Sequence, residues 1–186
     1  SATKYLGGHH DILAGVVAGR KSVMDLVFKH RTILGGILDP FQAFLLQRGL
    51  KTVALRVERQ AATALALADW LQGQPGVAKV LYPGLSAHAG HEVARGQMKA
   101  FGGVLSFVHA GGEEAARRFS ESLDVISLAA SLGGTETLVT LPSTTTHYHL
   151  TLEERAAAGI PPGLVRLAVG LEELALLKAD LARALG

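Results

Sequence analysis

Apolar residues recur along this chain with two different spacings, and the spacings alternate. Asp11 to Gly19 is a nearly continuous apolar run ended by glycines, which predicts a short strand, and Lys21 to Lys29 places Val23, Leu26 and Val27 on one side of a helix. Asp39-Pro40 has the chemistry of a helix start: the carboxylate accepts free amide hydrogens, and proline occupies the first turn, where its missing N–H costs nothing. A helical tract is predicted from Pro40 to Leu71, broken near Gly49 and Thr52 and ended at Gly73-Gln74-Pro75-Gly76. Val77 to Leu81, Val104 to Val108, Val125 to Leu128, Leu138-Val139 and Val165 to Val169 read as strands, and Glu113 to Leu123 as a helix. Leu174, Leu177, Leu181 and Leu185 repeat at helical spacing and predict one buried face on a last helix, Leu171 to Leu185. The alternation of strand and helix predicts an α/β or α+β core, with no internal repeat.

Composition narrows the function classes. The 186 residues are 48% hydrophobic, enough for a core of ordinary size and apolar enough to bury further surface against a partner. The 18 basic and 16 acidic residues leave a net charge of +2 without a polybasic block, which disfavours a nucleic-acid or anionic-membrane surface. There is no cysteine, so disulfide and thiol chemistry are excluded. No basic leader with an apolar core and no run of about 18 apolar residues occurs. The expected location is the cytoplasm.

Candidate chemistry begins at Lys4, in Ser1-Ala2-Thr3-Lys4-Tyr5-Leu6-Gly7-Gly8-His9. A lysine among hydroxyls and glycines suits a Schiff base to a phosphorylated aldehyde, and lysine amines in general need desolvation or a nearby cation to react near neutral pH. Arg166 interrupts an apolar strand, Leu164-Val165-Arg166-Leu167-Ala168-Val169, where an unpaired guanidinium is costly and an anionic partner is expected. Ser131-Leu132-Gly133-Gly134 allows close backbone approach or forms an ordinary turn. His9-His10 and His147-x-His149 offer imidazoles for a metal, but without cysteine or acidic partners at ligand spacing. His88 and His91 lie in a loop rich in glycine, alanine and serine and are expected to be solvated.

These segments recur in one order with Arg48-Gly49-Leu50-Lys51-Thr52, Tyr82-Pro83-Gly84, Gly102-Gly103-Val104-Leu105-Ser106-Phe107, Ser131-Leu132-Gly133-Gly134-x-Glu136, Thr146-His147 and Leu167-Ala168-Val169-Gly170. Together they resemble the Cys/Met-metabolism family of pyridoxal-phosphate enzymes, which contains cystathionine synthases and lyases and methionine γ-lyase. The resemblance implies an aspartate-aminotransferase-like fold, with residues 1–50 the end of the cofactor domain, 51–186 a C-terminal α+β domain, and a helical bridge over about 40–71. It implies pyridoxal 5'-phosphate on Lys4, with Ser1 and Thr3 on its phosphate or, alternatively, capping a turn. It places Arg166 on the substrate carboxylate, Ser131 beside both lysine and carboxylate, and Thr146 as support for the arginine.

The implied chemistry is elimination or replacement at a sulfur-containing amino acid, cleaving or forming a C–S bond, in an oligomer that is a tetramer across the family. Several cystathionine-handling members carry glutamate just before the serine, where this chain has Ala130. That difference leans toward a γ-lyase acting on methionine or homocysteine, with cystathionine γ-synthase and γ-lyase left open. The family's lysine lies near the middle of a chain about twice this long, so the sequence is expected to be a C-terminal half. Such a half is expected to be inactive alone, as a fragment or assembly module, because the ring-stacking, phosphate-loop and partner-subunit residues belong upstream.

Overall fold

In the computed structural model, which describes residues 1–186, the elements follow the capping and periodic signals closely. Helix α1 covers Lys21–Leu34 and ends in a left-handed cap at Gly35, while α2 covers Pro40–Leu50. Asp39 accepts hydrogen bonds from the amides of Phe41 at 2.9 Å and Gln42 at 3.2 Å, as an N-cap should. After the break at Lys51 and Thr52, α3 runs over Val53–Leu71. There follow β1 (Val77–Leu81), α4 (His91–Gln97), β2 (Val104–His109), α5 (Gly112–Glu121), β3 (Ser127–Leu128), β4 (Leu138–Thr140), α6 (Leu152–Ala157), β5 (Leu164–Ala168) and α7 (Leu174–Leu185).

The five strands form one sheet in the order β1-β2-β5-β4-β3, antiparallel except for the β3–β4 pair. Leu105 pairs with Leu167, and Phe107 with Val165. Because strand side chains alternate, these four share one face. They pack into a single buried cluster with Val139 of β4, Ala64, Leu67 and Leu71 of α3, Phe119 of α5, and Leu177 and Leu181 of α7. Arg166 falls between Val165 and Leu167 and therefore on the opposite face, opposite Ser106 on one side and Thr140 on the other.

Two expectations are corrected. Asp11 to Gly19 is not a strand: its extended backbone lies beside no ladder, and its bonds go instead to the Lys4 turn and to Gln42. Its apolar residues stay largely uncovered, with Leu13 78% exposed, and with Leu34 (79%) they line a hollow of about 1040 Å³ beside α1. His88 and His91 are not freely solvated either. Both are half-buried, and His91 bonds the Pro83 carbonyl at 2.8 Å while its ring stacks on Phe101. The long amphipathic pattern of α1 is carried five residues past its expected end at Lys29, yet none of its residues is buried.

Candidate active site

Lys4 sits in a tight turn closed by bonds from the Gly7 amide to the Ala2 carbonyl (2.9 Å) and from the Gly8 amide to the Lys4 carbonyl (2.8 Å). The turn is anchored at Ala14, whose carbonyl accepts the amides of Ala2 and Thr3 at 2.8 and 3.1 Å. Thr3 completes the anchor: its hydroxyl donates to the Ala14 carbonyl at 3.2 Å and accepts from the Ala14 amide at 3.0 Å. These bonds cap the turn, and Ser1 is exposed.

A second segment, 127 residues away, supplies the partner of the lysine. The Lys4 amine donates to the Ser131 hydroxyl at 3.5 Å. The loop bearing Ser131 lies directly on the lysine backbone: Gly133 has φ +81°, and a Cβ there would come within 2.6 Å of the Tyr5 nitrogen and 3.0 Å of the Lys4 carbonyl carbon. Only glycine satisfies both the left-handed conformation and that approach.

Arg166 reaches the same loop from the sheet. One terminal nitrogen donates to the Ser131 carbonyl at 3.1 Å and to the Thr140 hydroxyl at 3.2 Å, and that hydroxyl in turn donates to the Ala129 carbonyl at 2.6 Å. Its Nε is buried without a hydrogen-bond partner, and burial holds the guanidinium below its ordinary value. An unsatisfied buried donor on a cation is costly, and the planar fork that it belongs to matches a carboxylate. Thus the amine, the hydroxyl and the half-satisfied guanidinium expected from sequence converge on one loop. Thr146 does not join them, since its hydroxyl pairs with His147 Nδ1 at 2.8 Å; the threonine on Arg166 is Thr140.

Sequence reasoning missed Thr140, whose only signal was a hydroxyl at the end of a very short strand. It also missed two buried polar residues of α3, Arg56 and Gln60, which interrupt that helix's apolar face at a spacing of four. Tyr5, next to the lysine, is held above its ordinary phenol value by burial, which outweighs a backbone hydrogen bond at Gly103. No ligand set of three or more His, Asp or Glu residues is assembled at this or another place.

A family model described as "Cys/Met metabolism PLP-dependent enzyme" matches residues 1–186. An O-succinylhomoserine sulfhydrylase of Pseudomonas aeruginosa is 47% identical over 185 residues, covering 100% of this chain and 46% of that protein. An L-methionine gamma-lyase of Fusobacterium nucleatum is 46% identical over 187 residues, covering 100% of this chain and 47% of that protein. Among solved structures, a cystathione gamma lyase of Micromonospora echinospora superposes with a TM-score of 0.95 at 41% identity, covering 100% of this chain and 49% of that one. The chain spans about half the length of the relatives it matches. A match over every residue, with the same fold at more than 40% identity, places this chain in the Cys/Met metabolism family of pyridoxal-phosphate-dependent enzymes.

Proposed function

We propose that this chain supplies the cofactor lysine and the carboxylate clamp of an enzyme that eliminates or replaces groups at a sulfur-containing amino acid, cleaving or forming a C–S bond. The observation that carries the proposal is the convergence of Lys4, Ser131 and Arg166, drawn from three separate parts of the chain, on one loop. The similar proteins divide between a sulfhydrylase and lyases, so the reading is kept to C–S bond chemistry.

The residues present fit pyridoxal phosphate in two respects. Lys4 faces a neutral hydroxyl and forms no ion pair, which leaves its amine available to a carbonyl group. Arg166 has an unpartnered Nε and forms no ion pair within the chain, so its charge is left to an anion such as the α-carboxylate of an amino acid. When bound, the cofactor withdraws electrons from the substrate's α-carbon. The protein contributes orientation and proton handling. Arg166 offers the carboxylate the N–H groups that the protein leaves unused, and its bonds to Thr140 and the Ser131 carbonyl fix the plane of the guanidinium. The Ser131 hydroxyl steers the lysine amine. Lys4 is placed to take the proton from the substrate's α-carbon, and from the β-carbon as well where the sulfur group is on the γ-carbon, and to deliver a proton to the sulfur as it leaves. The alanine at position 130 offers no carboxylate to a distal ammonium, which favours methionine or homocysteine over cystathionine. Exposed Leu13, Val17, Phe28, Ile33 and Leu34 support a homo-oligomeric assembly.

The test is reductive labelling. Full-length protein containing this chain, loaded with pyridoxal phosphate and treated with borohydride, is expected to carry the pyridoxyl label on the peptide of Lys4. A label on Lys21, Lys51 or Lys99, with Lys4 unmodified, refutes the assignment.

A further inference from the structure

Two polar side chains of α3 are turned toward the site and carry no chemistry of their own. Arg56 is 5% exposed and Gln60 0%, and a spacing of four puts them on one face of the helix. Arg56 has no carboxylate partner. Its Nε donates to the Thr52 hydroxyl at 3.0 Å, one terminal nitrogen to the Tyr5 carbonyl at 3.1 Å, and the other to the Gly49 carbonyl at 2.8 Å. Burying a guanidinium among neutral oxygens is costly, and burial indeed lowers its pKa from the ordinary value. What the arrangement achieves is a tie between segments: the carbonyl of the residue after Lys4 is bound to the last turn of α2, whose free carbonyls favour a cation.

The packing leaves this tie little slack. Gly8, at φ +76°, lies flat on the guanidinium, and a Cβ there would overlap it. Gly49 lies against the Gly7 carbonyl in the same way. Gln60 ties the other half of the site: its Nε2 donates to the Gly134 carbonyl at 2.6 Å, in the loop that carries Ser131. Its Oε1 has no partner. An amide held in the core at the cost of an unsatisfied oxygen points to the importance of its single bond.

We propose that Arg56 and Gln60 are positioning residues that together key the Lys4 turn and the Ser131 loop to one face of α3 and so set the separation of the lysine amine and the serine hydroxyl. The proposal rests on the reading of Lys4 and Ser131 as the reacting site. Neither residue hydrogen-bonds the Lys4 amine; each acts through backbone carbonyls of the two segments.

The experiment uses the full-length holoenzyme and two substitutions, Arg56→Lys and Gln60→Leu, each alone and combined with Ser131→Ala. Lysine keeps the charge but cannot span both carbonyls; leucine keeps the bulk and removes the unpartnered oxygen along with the donor. Each single variant is expected to lower kcat about 10- to 100-fold, as for a misplacement of up to 1 Å, with KM within about threefold. In the Ser131→Ala background the same changes should cost less than about threefold, because the contact they set is already gone. Amide hydrogen exchange is a readout independent of activity. Arg56→Lys should accelerate exchange at Gly7 and Gly8 at least about tenfold while β2 and β5 are unaffected. Equal losses in both backgrounds, or exchange accelerated throughout the chain, overturn the proposal and make the pair structural. If Arg56→Lys does not fold, Arg56→Gln, which reaches one carbonyl, replaces it; loss of the fold in every variant counts against the proposal too. A wild-type enzyme labelled away from Lys4 refutes the catalytic reading, and the exchange experiment then still decides whether Arg56 ties the turn.

Discussion

Asp180 on α7 gives a stability prediction whose size follows from its geometry. Its side chain is 2% exposed. One oxygen accepts the Asp124 amide at 3.0 Å, and the other accepts the amides of Val125 and Ile126 at 2.9 and 3.0 Å. Arg183 donates to the first oxygen at 2.7 Å and reaches Asp124 at 2.9 Å. The three amides belong to the segment that leads into β3 and then to the loop bearing Ser131, so this carboxylate pins one end of the candidate site. Asp180→Asn keeps the shape but turns one acceptor oxygen into a donor and removes the charge. Hydrogen bonds to an ionised acceptor contribute about 1.5–3 kcal/mol each, and exposed Asp124 regains water, so a destabilisation of about 2–4 kcal/mol is expected. Asp180→Ala strands the buried Ile126 amide as well and should cost about 3–5 kcal/mol.

The same geometry predicts the pH dependence. Burial alone pushes the Asp180 carboxyl up, but the amides of Asp124, Ile126 and Val125 together with Arg183 outweigh it and hold the group below the usual carboxylate value. A carboxyl with a depressed folded value stabilises the fold above its unfolded pKa, about 3.9, and that contribution disappears as pH falls through the folded value. The gap between wild type and Asp180→Asn should therefore be full near pH 7 and shrink below about pH 4. Urea unfolding at pH 7 and pH 3.5 measures it. A variant within about 0.5 kcal/mol of wild type at pH 7, or a gap that ignores pH, would refute the reasoning.

Arg166→Lys retains a charge but loses the fork, so amino-acid affinity should fall by about 1–3 kcal/mol while cofactor absorbance is retained; substrate saturation curves check this, and unchanged saturation sinks the clamp. Gly49→Ala forces a methyl group into the Gly7 carbonyl and should destabilise by about 1–3 kcal/mol, with cofactor loading impaired because the Lys4 turn must move; thermal unfolding and borohydride labelling measure both, and a neutral result would show that the turn is not braced by α2.

Much of this molecule was legible from local signals. Asp39-Pro40 marked the start of α2, the leucines at 174, 177, 181 and 185 marked the inward face of α7, and β1 lies where its apolar run placed it. Such features depend on neighbours within a few residues, which share a helical turn or a strand face, so periodicity is enough to find them. Lys4, Ser131 and Arg166 stood out because each violates its surroundings or matches a family motif, and the structure brings all three to one loop. What pairs with what is a different matter. The Asp11 to Gly19 run has the pattern of a strand, but strand formation requires a neighbour to complete the hydrogen bonds, and none lies beside it. Thr140 rather than Thr146 meets Arg166 because β4 is in register with β5, a relation that neither segment encodes by itself. Arg56 and Gln60 read as two ordinary polar residues on a helix; their partners at Tyr5, Gly49 and Gly134 are 51, 7 and 74 positions away, and only the folded chain brings those carbonyls to one face of α3.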